Sequence, residues 1–276
     1  MQIETINYEQ LNFKSNPRFK FKEIISDKRE GFGTSSLFEI FKDKNNEIYI
    51  AAGYLDIKKP RNGEYHISLI TLKDNLEKRQ LKGHYGRLKV IRYFINPHKN
   101  DDTYLVSVDR LCRVIIWDIN NDYNIIFNKE IKSIKNTNDI LLLFINNNRY
   151  IIISSTDQND YTIVINIEEK DNEIKINNSF GIKIYNLSHW HNKYDNNHYI
   201  VQCGHSKVLI NEFQNKEKDN YAIIDTDEEH PVNLGSIVYK RNNLDYLSFS
   251  SQFGLIIIYD LLNKTLVKKI EIKKAL

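Results

Sequence analysis

Short apolar runs recur along the whole chain and alternate with polar segments. They are rich in isoleucine, valine and aromatic residues, as in 48–52, 114–117, 140–144 and 255–259. Such β-branched and aromatic residues favour strands. The intervening groups of Asn, Asp, Lys and Gly are typical of turns. Apolar residues rarely recur at the three- and four-residue spacing of an amphipathic helix. The pattern therefore predicts an all-β protein.

Two sets of positions recur at nearly constant spacing, which indicates an internal repeat. The residues predicted to end third strands fall at intervals of 47, 48, 46 and 48: Ile70, Trp117, Ile165, Asn211 and Tyr259. The aromatic residues predicted to close first strands fall at intervals of 53, 50, 46 and 49: Phe41, Phe94, Phe144, Trp190 and Tyr239. The two sets agree on five repeats of four strands, each about 47 residues long.

One repeat carries a Gly-His pair, Gly83 and His84, and closes with a Trp-Asp pair, Trp117 and Asp118. This segment resembles the WD-repeat β-propeller family, and the 33 residues from His84 to Trp117 suit that family. The last repeat is the second-best match, with Tyr259 and Asp260 at the position of the Trp-Asp pair. The resemblance is clear over residues 83–120 and 236–272, and between them it rests on periodicity.

The resemblance implies an all-β propeller of four-stranded blades in one domain, residues 1–276. The five blades are predicted at about residues 30–82, 83–134, 135–180, 181–227 and 228–276. Residues 1–29 form an N-terminal extension, in which residues 18–25 alternate like the outer strand of another blade.

Ring closure remains open, because WD-repeat rings usually have seven blades. The chain is part of a longer propeller, an incomplete open arc that a partner or second copy completes, or a ring that closes alone. An open arc would expose the apolar faces of its end sheets, so we also expect self-association through these open propeller edges.

In typical WD repeats a histidine, an aspartate in the second turn, a serine and a tryptophan form a buried hydrogen-bonded network. His84, Ser107 and Trp117 match this pattern. Leu111 stands where the aspartate is expected, and Asp109 lies two residues earlier. Two alternatives follow: Asp109 substitutes through a shifted turn, or the network is broken. A broken network would cost about 1–3 kcal/mol for each unsatisfied group.

Composition narrows the classes of function. The 39 Lys and Arg residues exceed the 36 Asp and Glu residues by only three, so no nucleic-acid partner is expected. Two cysteines, Cys112 and Cys203, are too few for a disulfide scaffold or a four-cysteine zinc site. Neither a signal peptide nor an apolar run long enough for a membrane span is visible. We therefore expect an intracellular protein, cytoplasmic or nuclear.

Candidate chemistry is sparse along the chain. We find no phosphate-binding loop, dinucleotide fingerprint or activated nucleophile, so neither an enzyme nor a cofactor is predicted. His189, His191 and His198 lie close in sequence but match no known ligand spacing for zinc. We interpret these histidines as part of a polar loop between first and second strands, and predict no metal site.

The resemblance implies a non-catalytic protein–protein interaction scaffold. Partners are expected to bind the loops at blade entry and the mouth of the central channel. The candidate binding residues are Tyr85, Arg87, Arg110 and Arg113, since Tyr and Arg often anchor interfaces. The alternative function is binding of phosphoinositides or another anionic ligand through the basic loop Lys58-Lys59-Pro60-Arg61.

Overall fold

A computed structural model describes residues 3–7, 38–55, 65–71, 77–99, 102–155, 161–169, 173–177, 184–205, 207–213, 221–225, 232–251 and 254–273. Within these ranges the chain forms strands and turns and no helix, so the predicted all-β class is confirmed. No helix in this part of the chain is long and apolar enough to cross a membrane.

Five sheets follow one another along the chain, each built from four consecutive antiparallel strands. A short strand, β1 (Ile3–Asn7), precedes them. The first sheet contains β2 (Phe38–Lys42), β3 (Ile48–Leu55), β4 (Tyr65–Thr71) and β5 (Glu77–His84). The second contains β6 (Leu88–Ile95), β7 (Thr103–Asp109), β8 (Arg113–Asp118) and β9 (Asn124–Glu130).

The third sheet contains β10 (Thr137–Ile145), β11 (Asn148–Ser155), β12 (Tyr161–Asn166) and β13 (Glu173–Asn177). The fourth contains β14 (Ile184–Asn192), β15 (Asn197–Gly204), β16 (Lys207–Glu212) and β17 (Ala222–Asp225). The fifth contains β18 (Val232–Arg241), β19 (Leu244–Ser251), β20 (Leu255–Asp260) and β21 (Thr265–Lys273).

The predicted repeat is confirmed to within one residue. Each residue predicted to end a third strand is the next-to-last residue of one, in the order Ile70, Trp117, Ile165, Asn211 and Tyr259. The five aromatic residues of the other set all lie in first strands: Phe41, Phe94, Phe144, Trp190 and Tyr239. Alternate residues of a strand point to opposite faces, so a shift of one residue would exchange the buried and exposed faces. The nearly constant spacing therefore keeps equivalent residues buried in every sheet.

A backbone hydrogen bond recurs two residues after the next-to-last position of the third strand. The amide of Ile119 donates to Thr103 O at 3.0 Å, and the amide of Leu261 donates to Asp245 O at 3.0 Å. The third and fourth sheets repeat the bond from Ile167 to Arg149 O and from Phe213 to His198 O. In these four sheets it pairs the end of the third strand with the start of the second.

The fifth sheet has an additional strand that the sequence analysis missed. Strand β1 pairs in parallel with the outer edge of β21, from Ile3 opposite Lys269 to Asn7 opposite Lys273. The sequence predicts that the last repeat is complete with four strands. An outer strand still presents unpaired backbone N–H and C=O groups, however, and β1 uses them. The other predicted N-terminal strand, residues 18–25, lies outside the described residues.

The chain divides into two compact units. One comprises Met1–Asn16, Ile153–Val164 and Ile174–Leu276, and the other Pro17–Ile152 and Ile165–Glu173. In the first unit the fourth and fifth sheets bury a core that includes Trp190, Val201, Leu247 and Phe249.

In the second unit the first and second sheets bury a core that includes Leu69, Leu105, Ile115 and Trp117. Burial of apolar surface, worth roughly 25 cal/mol per Å², is the main stabilising contribution in both cores.

Candidate interaction surface and its buried support

His84, the last residue of β5, connects the first sheet to the second through buried hydrogen bonds. Its Nδ1 lies 3.1 Å from Asp109 Oδ2, and its Nε2 lies 2.7 Å from Ser107 Oγ. Trp117 Nε1 donates to the same Ser107 Oγ at 3.1 Å. Since a carboxylate only accepts, Nδ1 carries the proton and Nε2 accepts from the Ser107 hydroxyl. We call these four residues, His84, Ser107, Asp109 and Trp117, the His84 network.

Asp109, rather than Leu111, supplies the acid of this network. Its Oδ1 accepts from the amides of Leu111 at 2.8 Å and Arg113 at 3.0 Å, and its Oδ2 accepts from the Gly86 amide at 3.2 Å. Burial alone would raise the pKa of the Asp109 carboxyl, but hydrogen bonds from His84 and the backbone outweigh it and lower that pKa. Of the two alternatives, the shifted turn is the one observed.

Backbone geometry explains how the two turns beside Asp109 fit together. Gly83 has a φ of +143°, and a Cβ placed there would lie 3.0 Å from Cδ1 of Ile115, so glycine is required. Cys112 has a φ of +57° and its amide donates to Asp109 O at 2.9 Å, which closes the turn between β7 and β8. The shift of the acid by two residues therefore comes from a tight turn that begins at Asp109.

Asp118 and Asp260, the aspartates of the Trp-Asp and Tyr-Asp pairs, stabilise turns between third and fourth strands. Asp118 Oδ1 accepts from the amides of Asn120 and Asn121, both at 3.1 Å. Asp260 Oδ1 accepts from the amides of Leu262 and Asn263 at 3.0 and 2.9 Å. Asn166 Oδ1 accepts from the Glu168 amide in the same way. These are Asx turns, in which a short polar side chain replaces a backbone acceptor.

The four candidate partner-binding residues lie together at the end of the second sheet. Tyr85 is 69% exposed, and the Arg113 Cζ lies 4.9 Å from its ring centroid. Arg113 is held by Asn128 Oδ1 at 3.1 Å and by Glu130 Oε2 at 3.4 Å.

Backbone contacts join the two turns that carry these residues. The Arg110 amide donates to Arg87 O at 2.8 Å. Both arginine side chains are exposed, and Leu111, which the sequence analysis did not select for binding, is 54% exposed beside them.

The three histidines lie in strands, so their assignment to a loop was wrong. His189 and His191 belong to β14 and His198 to β15, and only the turn at residues 193–196 separates them. Alternation along β14 puts His189 and His191 on one face, where both rings stack on His198 at centroid distances of 5.1 and 4.3 Å.

The stacked histidines bond to one another and to a neighbouring amide. His189 Nε2 lies 2.9 Å from His198 Nδ1, and His191 Nε2 lies 3.1 Å from Asn196 Oδ1. Burial, followed by the charges of the neighbouring imidazoles, lowers the pKa of His189 to about 3. Among the described residues, no group of three or more His, Cys, Asp or Glu side chains has a geometry suited to a metal.

A second buried polar chain, which we call the Gln202 chain, escaped the sequence analysis. Asn211 Nδ2 donates to Gln202 Oε1 at 3.0 Å, and Gln202 Nε2 donates to Thr162 Oγ1 at 2.5 Å. All three side chains are buried. Gln202 interrupts an apolar strand, and this polar residue in an apolar run could have indicated the Gln202 chain from the sequence.

First strands of neighbouring sheets carry a further polar contact that was not predicted. Arg92 on β6 makes a bidentate contact with the buried Asp139 on β10, through Nε and Nη2 at 2.9–3.0 Å. Glu39 on β2 accepts from the Tyr93 amide at 3.1 Å, and burial raises the pKa of its carboxyl. These contacts align β2, β6 and β10. The basic loop at residues 58–61, proposed for anionic ligands, lies outside the described residues.

Comparison with known proteins defines the class of fold. The chain is similar to the crystal structure of Chaetomium thermophilum Raptor, with a TM-score of 0.60 and 12% identity over 85% of this chain. It is also similar to dihydro-heme d1 dehydrogenase NirN in complex with DHE, with a TM-score of 0.54 and 9% identity over 86% of this chain. Both are β-propeller proteins, and this chain has the same fold class.

The likeness to these proteins covers only part of each of them. The chain matches 20% of the Raptor chain and 57% of the NirN chain. No protein-family model and no curated protein sequence matches the chain. The similarity therefore extends to the fold, and the function must be argued from the residues.

Proposed function

We propose that this chain is a WD-repeat-type propeller that acts inside the cell as a non-catalytic scaffold for protein–protein interaction. The observation that carries the proposal is the end of the second sheet. There Tyr85 and Leu111 are exposed, in the turns that follow His84 and Asp109 of the buried His84 network. Large exposed apolar groups on an ordered support are typical of binding surfaces.

The His84 network supports the proposal because it holds these side chains in place before a partner binds. Asp109 accepts hydrogen bonds from both turns, through the amides of Gly86 and Leu111. Arg113 lies against the Tyr85 ring and restricts its rotation. A preorganised surface loses less conformational entropy on binding, so more of the contact energy appears as affinity.

A non-catalytic role is favoured by what the polar groups at this site already do. NirN is by its name a dehydrogenase, so the fold is compatible with enzymes as well as scaffolds. Here both imidazole nitrogens of the buried His84 and both carboxylate oxygens of the buried Asp109 are engaged in hydrogen bonds. Groups that are buried and mutually satisfied stabilise structure, whereas general acid–base catalysis needs a group within reach of substrate.

The two cysteines are consistent with the proposed intracellular location. Cys112 and Cys203 are both buried, and neither is in a disulfide. Reducing compartments keep thiols in this form.

The proposal is tested by affinity capture with quantitative mass spectrometry from the cells that produce the protein. The wild-type chain is compared with the double variant Tyr85→Ser and Leu111→Ser. We expect the double variant to lose most of at least one partner that the wild type captures in stoichiometric amount. Removal of two anchor residues commonly costs more than about 2 kcal/mol in binding.

The matched control is Tyr194→Ser, because Tyr194 is 73% exposed in the turn between β14 and β15, away from the proposed surface. Circular dichroism establishes that each variant is folded. Equal capture of every partner by the double variant and the wild type would contradict the proposed surface. Capture of no stoichiometric partner by the wild type would contradict the scaffold function itself.

A further inference from the structure

We propose that the partner recognised at this end of the second sheet is an acidic peptide segment with an apolar anchor residue. This inference rests on the proposed function and names the chemistry of its partner. The surface, which we call the basic end surface, comprises six exposed residues: Tyr85, Arg87, Arg110, Leu111, Lys132 and Lys135.

Backbone contacts bring three separate segments together to make this surface. The Arg110 amide bonds to Arg87 O at 2.8 Å, which joins the turn after β5 to the turn after β7. The Ile131 amide bonds to Cys112 O at 3.0 Å, and Thr137 Oγ1 lies 3.6 Å from Cys112 Sγ. The loop from residue 131 to 136 is therefore held beside the Cys112 turn, and it carries Lys132 and Lys135.

The charge of this surface is positive and largely unopposed. Within the described part of the chain, none of Arg87, Arg110, Lys132 and Lys135 forms an ion pair.

The nearby acidic groups already have basic or hydroxyl partners. Glu130 pairs with Arg113, Glu173 contacts Lys129 and Ser133, and Asp109 is buried against His84. Whole-chain net charge is only +3, so four free cations around one end represent a local concentration of charge. Complementary charge steers association and suppresses partners of the wrong sign.

The exposed apolar side chains of the surface require an apolar residue in the partner. Leu111 lies beside Gly86, where a Cβ would be 3.1 Å from the Leu111 Cγ, and 54% of its surface is exposed. Arg113 covers one face of the Tyr85 ring and leaves the rest of that side chain accessible. An aliphatic or aromatic partner side chain would bury both residues, and its acidic neighbours would pair with the guanidinium groups.

A peptide is favoured over a nucleic acid because the surface combines four cations with the exposed side chains of Tyr85 and Leu111. Nucleic-acid affinity comes mainly from many phosphate contacts, and a few cations around an aliphatic side chain supply little of it. Arg113 already lies over one face of the Tyr85 ring, which limits stacking by a base. Leu111 offers no aromatic face, whereas it suits an aliphatic side chain of a peptide.

The inference is tested by fluorescence anisotropy with the full chain and labelled synthetic pools. One peptide pool places Leu or Phe between runs of Asp and Glu, a second replaces the acids by Lys and Arg, and a third replaces the apolar residue by Ser. A labelled single-stranded RNA and a duplex DNA are measured beside them. We expect the acidic apolar pool to bind at least about tenfold more tightly than every other probe, and less tightly as salt is raised.

The charge-reversal variant Arg87→Glu with Arg110→Glu should weaken that binding by at least about tenfold. Its matched control is Lys99→Glu with Lys193→Glu, which changes net charge equally at exposed turn positions elsewhere. The control should bind as the wild type does. Leu111→Ser should also weaken binding, whereas Tyr194→Ser should not.

Three outcomes would overturn the inference: tighter binding of RNA or DNA, no preference for the acidic pool, or equal loss in the control variant. If capture still depends on Tyr85 and Leu111 while no acidic pool binds, the scaffold proposal stands and the acidic class is wrong. If neither dependence is found, both the acidic class of partner and the proposed surface are wrong.

Discussion

The second and fourth sheets place polar groups at the same two register positions but satisfy them with different chemistry. Trp117 pairs across the sheet with Leu105, and Asn211 pairs with Ile200, so Ser107 and Gln202 are equivalent. In the second sheet, Trp117 donates to Ser107, which bonds to His84 of the preceding sheet. In the fourth, Asn211 donates to Gln202, which donates to Thr162 on the third strand of the preceding sheet.

The comparison teaches that the repeat requires a satisfied polar connection between sheets rather than particular residues. The His84 network uses an imidazole and a carboxylate, which also bonds to three backbone amides. The Gln202 chain uses neutral amide and hydroxyl groups. A buried polar group costs free energy only when it lacks a partner, so both solutions are stable. The sequence motif of the WD repeat identifies the His84 network and misses the Gln202 chain.

The largest expected effect comes from removing the acid of the second sheet. Asp109→Ala leaves His84 and three backbone amides without their acceptor, so we expect a loss of about 3–5 kcal/mol in the free energy of unfolding. Urea denaturation measures it. Asp118→Ala is the control, because Asp118 accepts two amides at a partly exposed turn, and should cost about 1 kcal/mol.

A double-mutant cycle with His84→Ala tests whether the four residues act as a unit. We expect the combined loss to be smaller than the sum of the single losses by more than about 0.5 kcal/mol. Strict additivity would show that Asp109 stabilises only its turn.

The corresponding change in the fourth sheet should have a smaller effect. Gln202→Ala leaves the Asn211 amide without its acceptor and creates a cavity. We therefore expect a loss of about 2–3 kcal/mol in the free energy of unfolding. The triple variant Thr162→Val, Gln202→Leu and Asn211→Leu removes the polar groups together. It should recover stability to within about 1 kcal/mol of the wild type. No recovery in urea denaturation would mean that the hydrogen bonds, rather than satisfaction of buried groups, provide the stability.

The two tryptophans sharpen the comparison further. Trp190 Nε1 donates at 3.1 Å to the buried Asp245 carboxylate of the next sheet, whereas Trp117 donates to a neutral hydroxyl within its own sheet. Bonds to charged acceptors contribute more, so Trp190→Phe should cost about 2 kcal/mol and Trp117→Phe about 1 kcal/mol. Equal losses on urea denaturation would contradict the assignment of Asp245 as the charged acceptor.

A further expected effect is a pH dependence specific to the fourth sheet. His189 has its pKa lowered from 6.5 to about 3 in the folded chain, so between these values the unfolded chain binds a proton that the folded chain does not. The stability therefore has its full value above the pKa of His189 in the unfolded chain, and it decreases as the pH falls from about 6.5 towards about 3. At about pH 5.5 the loss from this histidine is about 1.4 kcal/mol relative to about pH 8.

The measurement is urea denaturation of the wild type and His189→Gln across the same pH range. The variant should lose this part of the acid dependence, and His205→Gln, at an exposed histidine directly after β15, should retain it. An identical pH profile for the wild type and His189→Gln would refute the origin assigned to it.

The all-β class, the five repeats and the strand positions followed from the spacing of apolar residues. Ile70 and Tyr259 could be placed in third strands because pleated strands impose a period of two on every buried face. In the candidate surface, Tyr85 and Arg113 could be selected from their turn positions beside Gly83 and His84. Leu111 was assigned only as a missing acid, because nothing in a linear sequence shows that a turn begins two residues early.

Local chain chemistry thus determined the fold class, the repeat length and the residues available for the His84 network. Tertiary structure alone decided which side chains meet. Gln202 bonds to Thr162, which lies 40 residues away in the sequence, and Arg92 bonds to Asp139, which lies 47 residues away. It also decided that β1 adds to β21, and that Lys132 approaches the turn of Arg110. Such contacts depend on sheet packing and long-range register, which local propensity does not encode, because each strand has the same pattern and many edges are equivalent.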